Sequence, residues 1–284
     1  ADYVSKYVAA NLPAYKNLPV LSVSAPFKSG FAGGSDFTDV KAGSIAINNA
    51  ADLYLYPNTV YAVKVTGAGI KAWLEKSAER FNRIDPTLST EQPLVSSFPG
   101  YNFDVFTSPD IRYEIDVTKP KYNVNKPVAG EERIQNLTYK GQPIDPAQQF
   151  IVATNNYRAN SSAPYILGTG KAFDIVWASP DANREVVLNY VKAQKTVTRA
   201  SNGSTSSWRF AKTPTAGKVL FKSAKDALNV AQDAGLTNIS VDRADRNRIH
   251  GLSRCQQSSV ALLSVNRVED RPTPIVSGCV DDLS

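Results

Sequence analysis

The sequence predicts a mixed α/β (α+β) protein in which helices pack on mixed, twisted sheets. Short apolar runs of strand length recur along the chain, and they alternate with segments of helical periodicity. Turn signals rich in glycine, proline and asparagine separate these segments. With 284 residues, of which 42% are hydrophobic and 20% charged, the chain is long enough for one large domain or two modest ones.

The first predicted strand is Val20–Val23, and a long glycine-rich loop follows it from Phe27 to Asp39. Two further strand-like segments and a strand then follow along the chain: Ile45–Ile47, Leu53–Tyr56 and Tyr61–Val65. Apolar residues recur at helical spacing from Ile70 to Phe81, which predicts an amphipathic helix over Ala68–Asn82. Trp73 and Phe81 on this helix are expected in the core.

The middle of the chain predicts a loop and two β pairs. The polar, proline-bearing stretch Asp85–Gly100 is typical of a loop. Asn102–Phe106 and Ile111–Val117 resemble the two arms of a hairpin. Ile134–Tyr139 is expected to pair with Phe150–Ala153 beyond a Lys140-Gly141 turn.

Ser179-Pro180 is typical of a helix start, with an N-cap and proline at the first helical position, and predicts a helix that reaches Gln194. The small polar residues 200–207 predict a linker. Beyond it we expect a strand (Val219–Phe221), a helix opened by Ser223 with Asp226 and closed by Gly235, and a strand (Val260–Val265). These elements would form a small C-terminal β-α-β appendage.

Two short strings carry the strongest functional signal: Tyr101-Asn102-Phe103-Asp104 and Ala153-Thr154-Asn155-Asn156-Tyr157-Arg158. Each places an aromatic at a turn beside amide and charged side chains. Two such aromatics make a slot about one ring thick, which holds a nucleobase by its faces while polar groups read its edges. The alternative is that Tyr101 and Tyr157 pack on the core and that Asp104 caps a turn.

Charge and metal-ligand content narrow the function classes. A formal charge of +6 suits an anionic ligand, but the lysines and arginines form no block of the kind that binds a nucleic-acid polymer. No apolar run approaches the roughly 20 residues that span a bilayer.

His250 is the single histidine, and with only two distant cysteines it cannot supply a dinuclear metal site or a zinc site. We expect His250 on an exposed loop.

Several ordered strings together resemble the C-terminal domain of the 5′-nucleotidase family, in its 2′,3′-cyclic-nucleotide 2′-phosphodiesterase/3′-nucleotidase branch. They begin at Pro19-Val20-Leu21-Ser22-Val23-Ser24-Ala25-Pro26-Phe27-Lys28 and Asn49-Ala50-Ala51-Asp52-Leu53-Tyr54-Leu55-Tyr56-Pro57-Asn58-Thr59. They continue with Phe81-Asn82-Arg83-Ile84-Asp85-Pro86, the two strings above, and Ala178-Ser179-Pro180-Asp181-Ala182-Asn183-Arg184. The resemblance covers 18–195 closely and implies a 5′-nucleotidase C-terminal-domain-like fold.

The resemblance also implies a role for individual residues. Tyr101 and Tyr157 match the family's two base-stacking aromatics, and Asn102 and Asp104 would lie beside the base or ribose. Lys28 would supply the cation that faces the phosphate, although a solvated loop lysine is the alternative. The full set of expected substrate contacts is Tyr101, Tyr157, Asn102, Asp104, Asn156, Arg158, Lys28 and Asn58. Ser161-Ser162 stand where the family commonly has two glycines.

The implied organisation is the end of an inter-domain linker helix (1–17), the nucleoside-binding domain (18–199) and the C-terminal extension (207–284). Ala1 is followed at once by a helix-like stretch, so we expect a piece of a longer protein. Its missing N-terminal metallophosphoesterase domain would hold two divalent metal ions, and this chain alone would bind none and be inactive.

The expected ligands are nucleosides, 3′-nucleotides and 2′,3′-cyclic nucleotides, in the periplasm of a Gram-negative bacterium, without a nucleic-acid polymer or a membrane as partner. In such an exported protein Cys255 and Cys279 would most simply form one disulfide, and two free thiols are the alternative. The competing functions are a stand-alone nucleotide-binding or adhesion module and a self-sufficient enzyme, which the histidine count disfavours.

Overall fold

A computed structural model describes residues 1–32, 34–97, 103–123, 126–162, 172–203, 206–233, 239–241 and 248–252. Its helices are α1 (Asp2–Asn11), α2 (Ile47–Leu53), α3 (Gly67–Ala78), α4 (Asn183–Gln194), α5 (Arg199–Asn202) and α6 (Ala227–Asp233). The first seven strands are β1 (Val20–Ser24), β2 (Thr59–Thr66), β3 (Gln92–Pro93), β4 (Val105–Thr107), β5 (Ile111–Ile115), β6 (Ile134–Tyr139) and β7 (Gln142–Pro143). The remaining strands are β8 (Gln149–Asn155), β9 (Asp174–Ala182), β10 (Trp208–Phe210), β11 (Val219–Ala224), β12 (Ser240–Val241) and β13 (Arg248–Leu252).

The strands form three sheets. A central five-stranded sheet has the order β4-β1-β8-β2-β9, in which β1 and β8 run parallel and the other neighbours are antiparallel. Two four-stranded sheets have the orders β10-β5-β6-β7 and β12-β13-β11-β3. The predicted mixed α/β class with helices on mixed sheets is therefore confirmed.

Helices cover both faces of the central sheet. Successive side chains of β2 point to opposite faces, so Ala62 packs with Val4 and Val8 of α1, whereas Val63 packs with Ile70 of α3. Burial on both faces explains why β2 and β8 are near-continuous apolar runs rather than alternating ones.

Two buried charged residues, Glu75 and Arg133, join α3 to the second sheet through hydrogen bonds to the backbone. The Glu75 carboxylate accepts the backbone N–H groups of Arg133 (3.0 Å) and Ile134 (2.9 Å). The guanidinium of Arg133 is buried and donates to the carbonyl oxygens of Ala78 and Phe81, each at 2.8 Å. Burial raises the pKa of the Glu75 carboxyl, while the two N–H donors and Lys71 oppose this rise.

Several sequence predictions hold in detail. β1, β2 and α3 lie where expected, and Trp73 and Phe81 are buried in the core. The Lys140-Gly141 turn has positive φ at both residues (50° and 76°), which is the two-residue hairpin geometry that matches strand twist.

The predicted strand pairings were wrong. β4 pairs with β1 and β5 pairs with β6 and β10, so the hairpin expected from Asn102–Phe106 and Ile111–Val117 does not form. Likewise β6 pairs with the two-residue β7, while β8 lies in the central sheet between β1 and β2. Neighbouring strands in sequence separate here because each joins the sheet that buries its apolar face.

Neither Ile45–Ile47 nor Leu53–Tyr56 forms the predicted strand: Ile47 and Leu53 are the two ends of α2, and the other residues of both segments are irregular. Ile47–Leu53 is α2, whose start is closed by Asn49: its side chain accepts the Ala46 N–H at 2.9 Å and its own N–H donates to the Ala46 carbonyl at 3.0 Å. Asp85–Gly100 is not wholly loop, because Gln92–Pro93 pairs in parallel with β11.

Two predicted helix starts were also wrong. Ser179-Pro180 lies within β9, an edge strand, where a proline without an N–H is tolerated; α4 starts at Asn183. Ser223 lies buried in β11 rather than at a helix N-cap, and α6 begins at Ala227.

His250 belongs to strand β13 rather than to a loop. Gly235 and Val260–Val265 lie outside the described residues.

The segment after residue 206 shares sheets with the earlier part of the chain. β10 pairs in parallel with β5, and β11 pairs in parallel with β3. Trp208, Phe210 and Phe221 belong to the same hydrophobic cluster as Phe81. The stretch expected as a linker contains the short helix α5 and the buried Ser207.

Candidate nucleotide-binding site

The sheet topology brings most candidate residues to one edge of the central sheet. At this edge β1, β8 and β9 end, and β2 and β4 begin, because Ser24 lies opposite Val105, Asn155 opposite Val60, and Ala182 opposite Thr59. The described candidates that follow or precede these strand ends are Lys28, Asn58, Asp104, Asn156, Tyr157 and Arg158.

Asp104 and Arg158, predicted from two separate strings, contact each other directly. Arg158 Nη2 donates to Asp104 Oδ1 at 2.7 Å, and Trp73 Nε1 donates to Oδ2 at 2.7 Å. Burial raises the pKa of the Asp104 carboxyl, and the Arg158 charge and the Trp73 hydrogen bond oppose it. Both carboxylate oxygens are thus engaged by N–H donors, and the pair anchors the loop after β8.

Helix α3 also holds the start of β4. Ser77 Oγ donates to the Asp104 carbonyl oxygen at 2.7 Å. Phe103 is buried against Phe81 and Trp208, with ring centroids 4.8 and 5.3 Å apart. The residues immediately before β4 are therefore fixed by the core.

The loop after β8 is held by its two asparagines. Asn156 Oδ1 accepts the Thr59 N–H at 3.2 Å, and Asn155 Oδ1 accepts the Arg158 N–H at 2.7 Å. Tyr157, which follows them, is 59% exposed. A large, mostly exposed aromatic residue on an anchored loop is suited to stacking on a flat ligand.

Sequence reasoning missed Tyr54, which joins two parts of the site. Its hydroxyl oxygen accepts the side-chain amides of Asn58 (3.1 Å) and Asn155 (2.9 Å). Phe27 packs edge-on against Tyr54 and Tyr56, at 5.3 and 5.1 Å between ring centroids. The only indication in the sequence that these three aromatics belong to the site is that they lie within the strings that resemble the 5′-nucleotidase family.

Lys28 lies on the loop after β1. Its side chain is 17% exposed, and Nζ lies 3.5 Å from the exposed Asp52 carboxylate. This ammonium group, partly enclosed near the sheet edge, is suited to pairing with an anion.

Ser161 and Ser162 lie at the end of a π-helical turn, Arg158–Ser162, which follows Tyr157. π-Helical turns of this kind are frequent at functional sites. A right-handed helical backbone is open to residues other than glycine, which accounts for serines at these two positions.

Four predicted residues lie outside the described part of the chain: Tyr101, Asn102, Cys255 and Cys279. Within the described ranges no three His, Cys, Asp or Glu side chains come together as metal ligands. Nor does any helix in those ranges have the length and apolar content to cross a membrane.

The geometry defines a class first: a mixed α/β domain whose loops gather aromatic, amide and charged side chains at one sheet edge. Comparison with known proteins then gives the family. The sequence profile of the "5′-nucleotidase, C-terminal domain" matches residues 26–166, and this part of the chain belongs to that family.

Curated relatives are longer proteins. The chain is 49% identical over 188 residues to a trifunctional nucleotide phosphoesterase of Bacillus subtilis, which covers 64% of this chain and 13% of that protein. It is 44% identical over 216 residues to a 2′,3′-cyclic-nucleotide 2′-phosphodiesterase/3′-nucleotidase of Haemophilus influenzae, covering 73% of this chain and 32% of that protein. The chain thus spans about a third or less of these relatives.

Among solved structures, a 5′-nucleotidase precursor from Thermus thermophilus superposes with a TM-score of 0.42 at 14% identity, covering 75% of this chain and 43% of that one.

Proposed function

We propose that this chain is the nucleotide-binding domain of a bifunctional 2′,3′-cyclic-nucleotide 2′-phosphodiesterase/3′-nucleotidase. It would hold the base between Tyr101 and Tyr157 and present the phosphate to an N-terminal metallophosphoesterase domain with two divalent metal ions. The names of the relatives support the substrate class. We further propose that the parent protein is exported to the periplasm.

One observation carries the proposal most directly. The loop after β8 is anchored by the Asp104–Arg158 ion pair and by the Asn156–Thr59 hydrogen bond, yet Tyr157 is left exposed. An isolated exposed tyrosine requires no explanation, but an exposed ring on a loop fixed from two sides is preorganised for stacking. Stacking tolerates any base, which suits an enzyme that accepts both purine and pyrimidine nucleotides.

Each neighbouring group has a proposed role. Asn156 and Asn58 hold the loop and the start of β2, and their remaining polar atoms lie beside the ligand. Asp104 orients Arg158, whose guanidinium reads the base or ribose from the anchored position. Lys28 faces the phosphate. Asn102, next to Tyr101, would contact the base or ribose.

The test is titration of adenosine and 3′-AMP into the wild-type chain and into Tyr157→Ala and Tyr101→Ala. Removing one stacking face should weaken binding by about 1–3 kcal/mol, or about five- to 150-fold in Kd. Tyr157→Phe should bind almost like the wild type, because it keeps the ring face.

Tyr190→Ala is the matched control, since Tyr190 is an exposed tyrosine on α4 and its loss should leave nucleoside affinity unchanged. Circular dichroism confirms that each variant is folded. If both Tyr→Ala proteins are folded and bind adenosine like the wild type, the stacking proposal is wrong.

A further inference from the structure

The loop that carries Lys28 is docked on the C-terminal part of the chain. We call residues 27–39 the Lys28 loop; residue 33 lies outside the described ranges. The fully buried Ser223 of β11 donates its Oγ–H to the Ser29 carbonyl oxygen at 2.8 Å. Ser29 directly follows Lys28, so this hydrogen bond fixes the backbone one residue from the candidate phosphate-binding cation.

The contact is close enough to require glycine at position 30. Gly30 has φ = +84°, and a Cβ added there would lie 2.4 Å from Ala224 N and 2.5 Å from Ser223 Oγ. The Gly30 N–H also donates to the Asp36 carbonyl at 2.6 Å, which closes the loop on itself. Only a residue without a side chain allows this turn to lie against β11.

A small hydrophobic cluster completes the docking. Phe37 of the Lys28 loop packs with the buried Ala224 and Ala227, and residues of α6 and β12 surround them. The loop is therefore held on β11 by a hydrogen bond, a backbone close approach and apolar packing. These supports lie at residues 223–241, beyond the 26–166 stretch that matches the family profile.

From this arrangement we infer that β11 is the positioning element of the phosphate subsite and that Ser223 is its positioning residue. The inference rests on the proposed function, because it takes Lys28 as the group that faces the phosphate. The C-terminal segment thereby has a specific role. Strand β11 fixes the backbone position of Lys28, and so the direction of its side chain, without contacting the ligand itself. The ligand group concerned is the phosphate monoester of a nucleotide.

The test compares 3′-AMP with adenosine, since the ratio of their Kd values isolates the contribution of the phosphate. In the wild type 3′-AMP should bind more tightly than adenosine, and Lys28→Ala should reduce this preference. Ser223→Ala should reduce the preference for 3′-AMP over adenosine about three- to ten-fold, which is the effect of one lost hydrogen bond. The Kd for adenosine itself should stay within about two-fold of the wild-type value. In the Lys28→Ala background, Ser223→Ala should change the ratio no further.

Ser207→Ala is the matched control. Ser207 is also buried beside a strand, but its hydroxyl contacts the backbone of Ser108, between β4 and β5, so its loss should leave the ratio unchanged. A general loss of stability would weaken both ligands together and would not move the ratio. Phe37→Leu is a second variant, which keeps an apolar residue in the cluster and should lower the ratio in the same direction.

The inference is overturned if folded Ser223→Ala and Phe37→Leu keep the wild-type ratio while Lys28→Ala lowers it. If the wild type binds neither adenosine nor 3′-AMP, the proposed function itself fails. The two failures are therefore distinguishable in one set of titrations.

Discussion

At the scale of single residues, the site depends on side chains that hold other side chains. Asp104 accepts hydrogen bonds from Trp73 and Arg158, and Tyr54 accepts them from Asn58 and Asn155. Each of these groups connects segments distant in sequence. The exposed Tyr157 owes its position to such contacts together with the local hydrogen bond between Asn155 and Arg158.

Asp104→Asn should destabilise the domain and loosen the loop after β8. The substitution removes the charge opposite Arg158 and places an NH2 group where one of the two N–H donors now points. We expect the free energy of unfolding to fall by about 2–4 kcal/mol, since one partner of a largely buried ion pair is lost. Urea unfolding monitored by circular dichroism measures the change.

Asp174→Asn is the control for this prediction, because Asp174 pairs with Lys64 at the surface and is 53% exposed. Exposed ion pairs contribute little, so its effect should stay within about 1 kcal/mol. Equal effects of the two substitutions would contradict the assigned role of Asp104.

At the scale of elements, α3 is the connection between the sheets. It packs on β2 through Ile70, reaches β4 through Trp73 and Ser77, and binds the start of β6 through Glu75. A helix with polar contacts on two sheets fixes their relative position more strictly than apolar packing alone, because hydrogen bonds are directional.

Glu75→Ala should break this connection. The Ala side chain leaves the backbone N–H groups of Arg133 and Ile134 without their acceptor. We expect a loss of about 2–4 kcal/mol in the free energy of unfolding at neutral pH, measured by urea titration. Glu185→Ala on the exposed face of α4 should have almost no effect; a similarly small effect at Glu75 would refute the prediction.

The same pair of proteins tests the direction of the Glu75 pKa shift. Burial raises its folded-state pKa above the unfolded value, so its contribution to stability is greatest below the unfolded pKa and falls as the pH rises through the folded one. The stability difference between wild type and Glu75→Ala, which has no titrating group at this position, should therefore decrease from acidic to neutral pH. A difference that grows over this range would contradict the shift.

At the scale of the whole molecule, we expect the chain on its own to be catalytically silent. It contains one histidine, whereas a dinuclear phosphoesterase centre draws on several histidine and aspartate ligands. The purified chain would be assayed with 3′-AMP, 2′,3′-cyclic AMP and bis-p-nitrophenyl phosphate in the presence of Mn²⁺ or Co²⁺. Heat-unfolded protein with the same metals is the control, and metal-dependent turnover above that level would disprove the expectation.

The sequence alone determined the element types wherever the periodicity was strong. β1, β2, α3 and the Lys140-Gly141 turn follow from local spacing and turn chemistry, because these signals depend on neighbouring residues only. It also determined the family, since ordered strings of residues carry that information directly. The candidates Lys28, Asn58, Asn156, Tyr157 and Arg158 come from the same strings.

Only the tertiary structure decided which strands pair and what the site residues contact. Val105–Thr107 joins β1 rather than Ile111–Ile115, and Ser223 supports the Lys28 loop from 194 positions away in sequence. Asp104 is engaged by Trp73 and Arg158, which nothing in its own string indicates. Pairing and burial depend on which distant apolar faces and polar groups satisfy one another, and local sequence patterns do not contain that information.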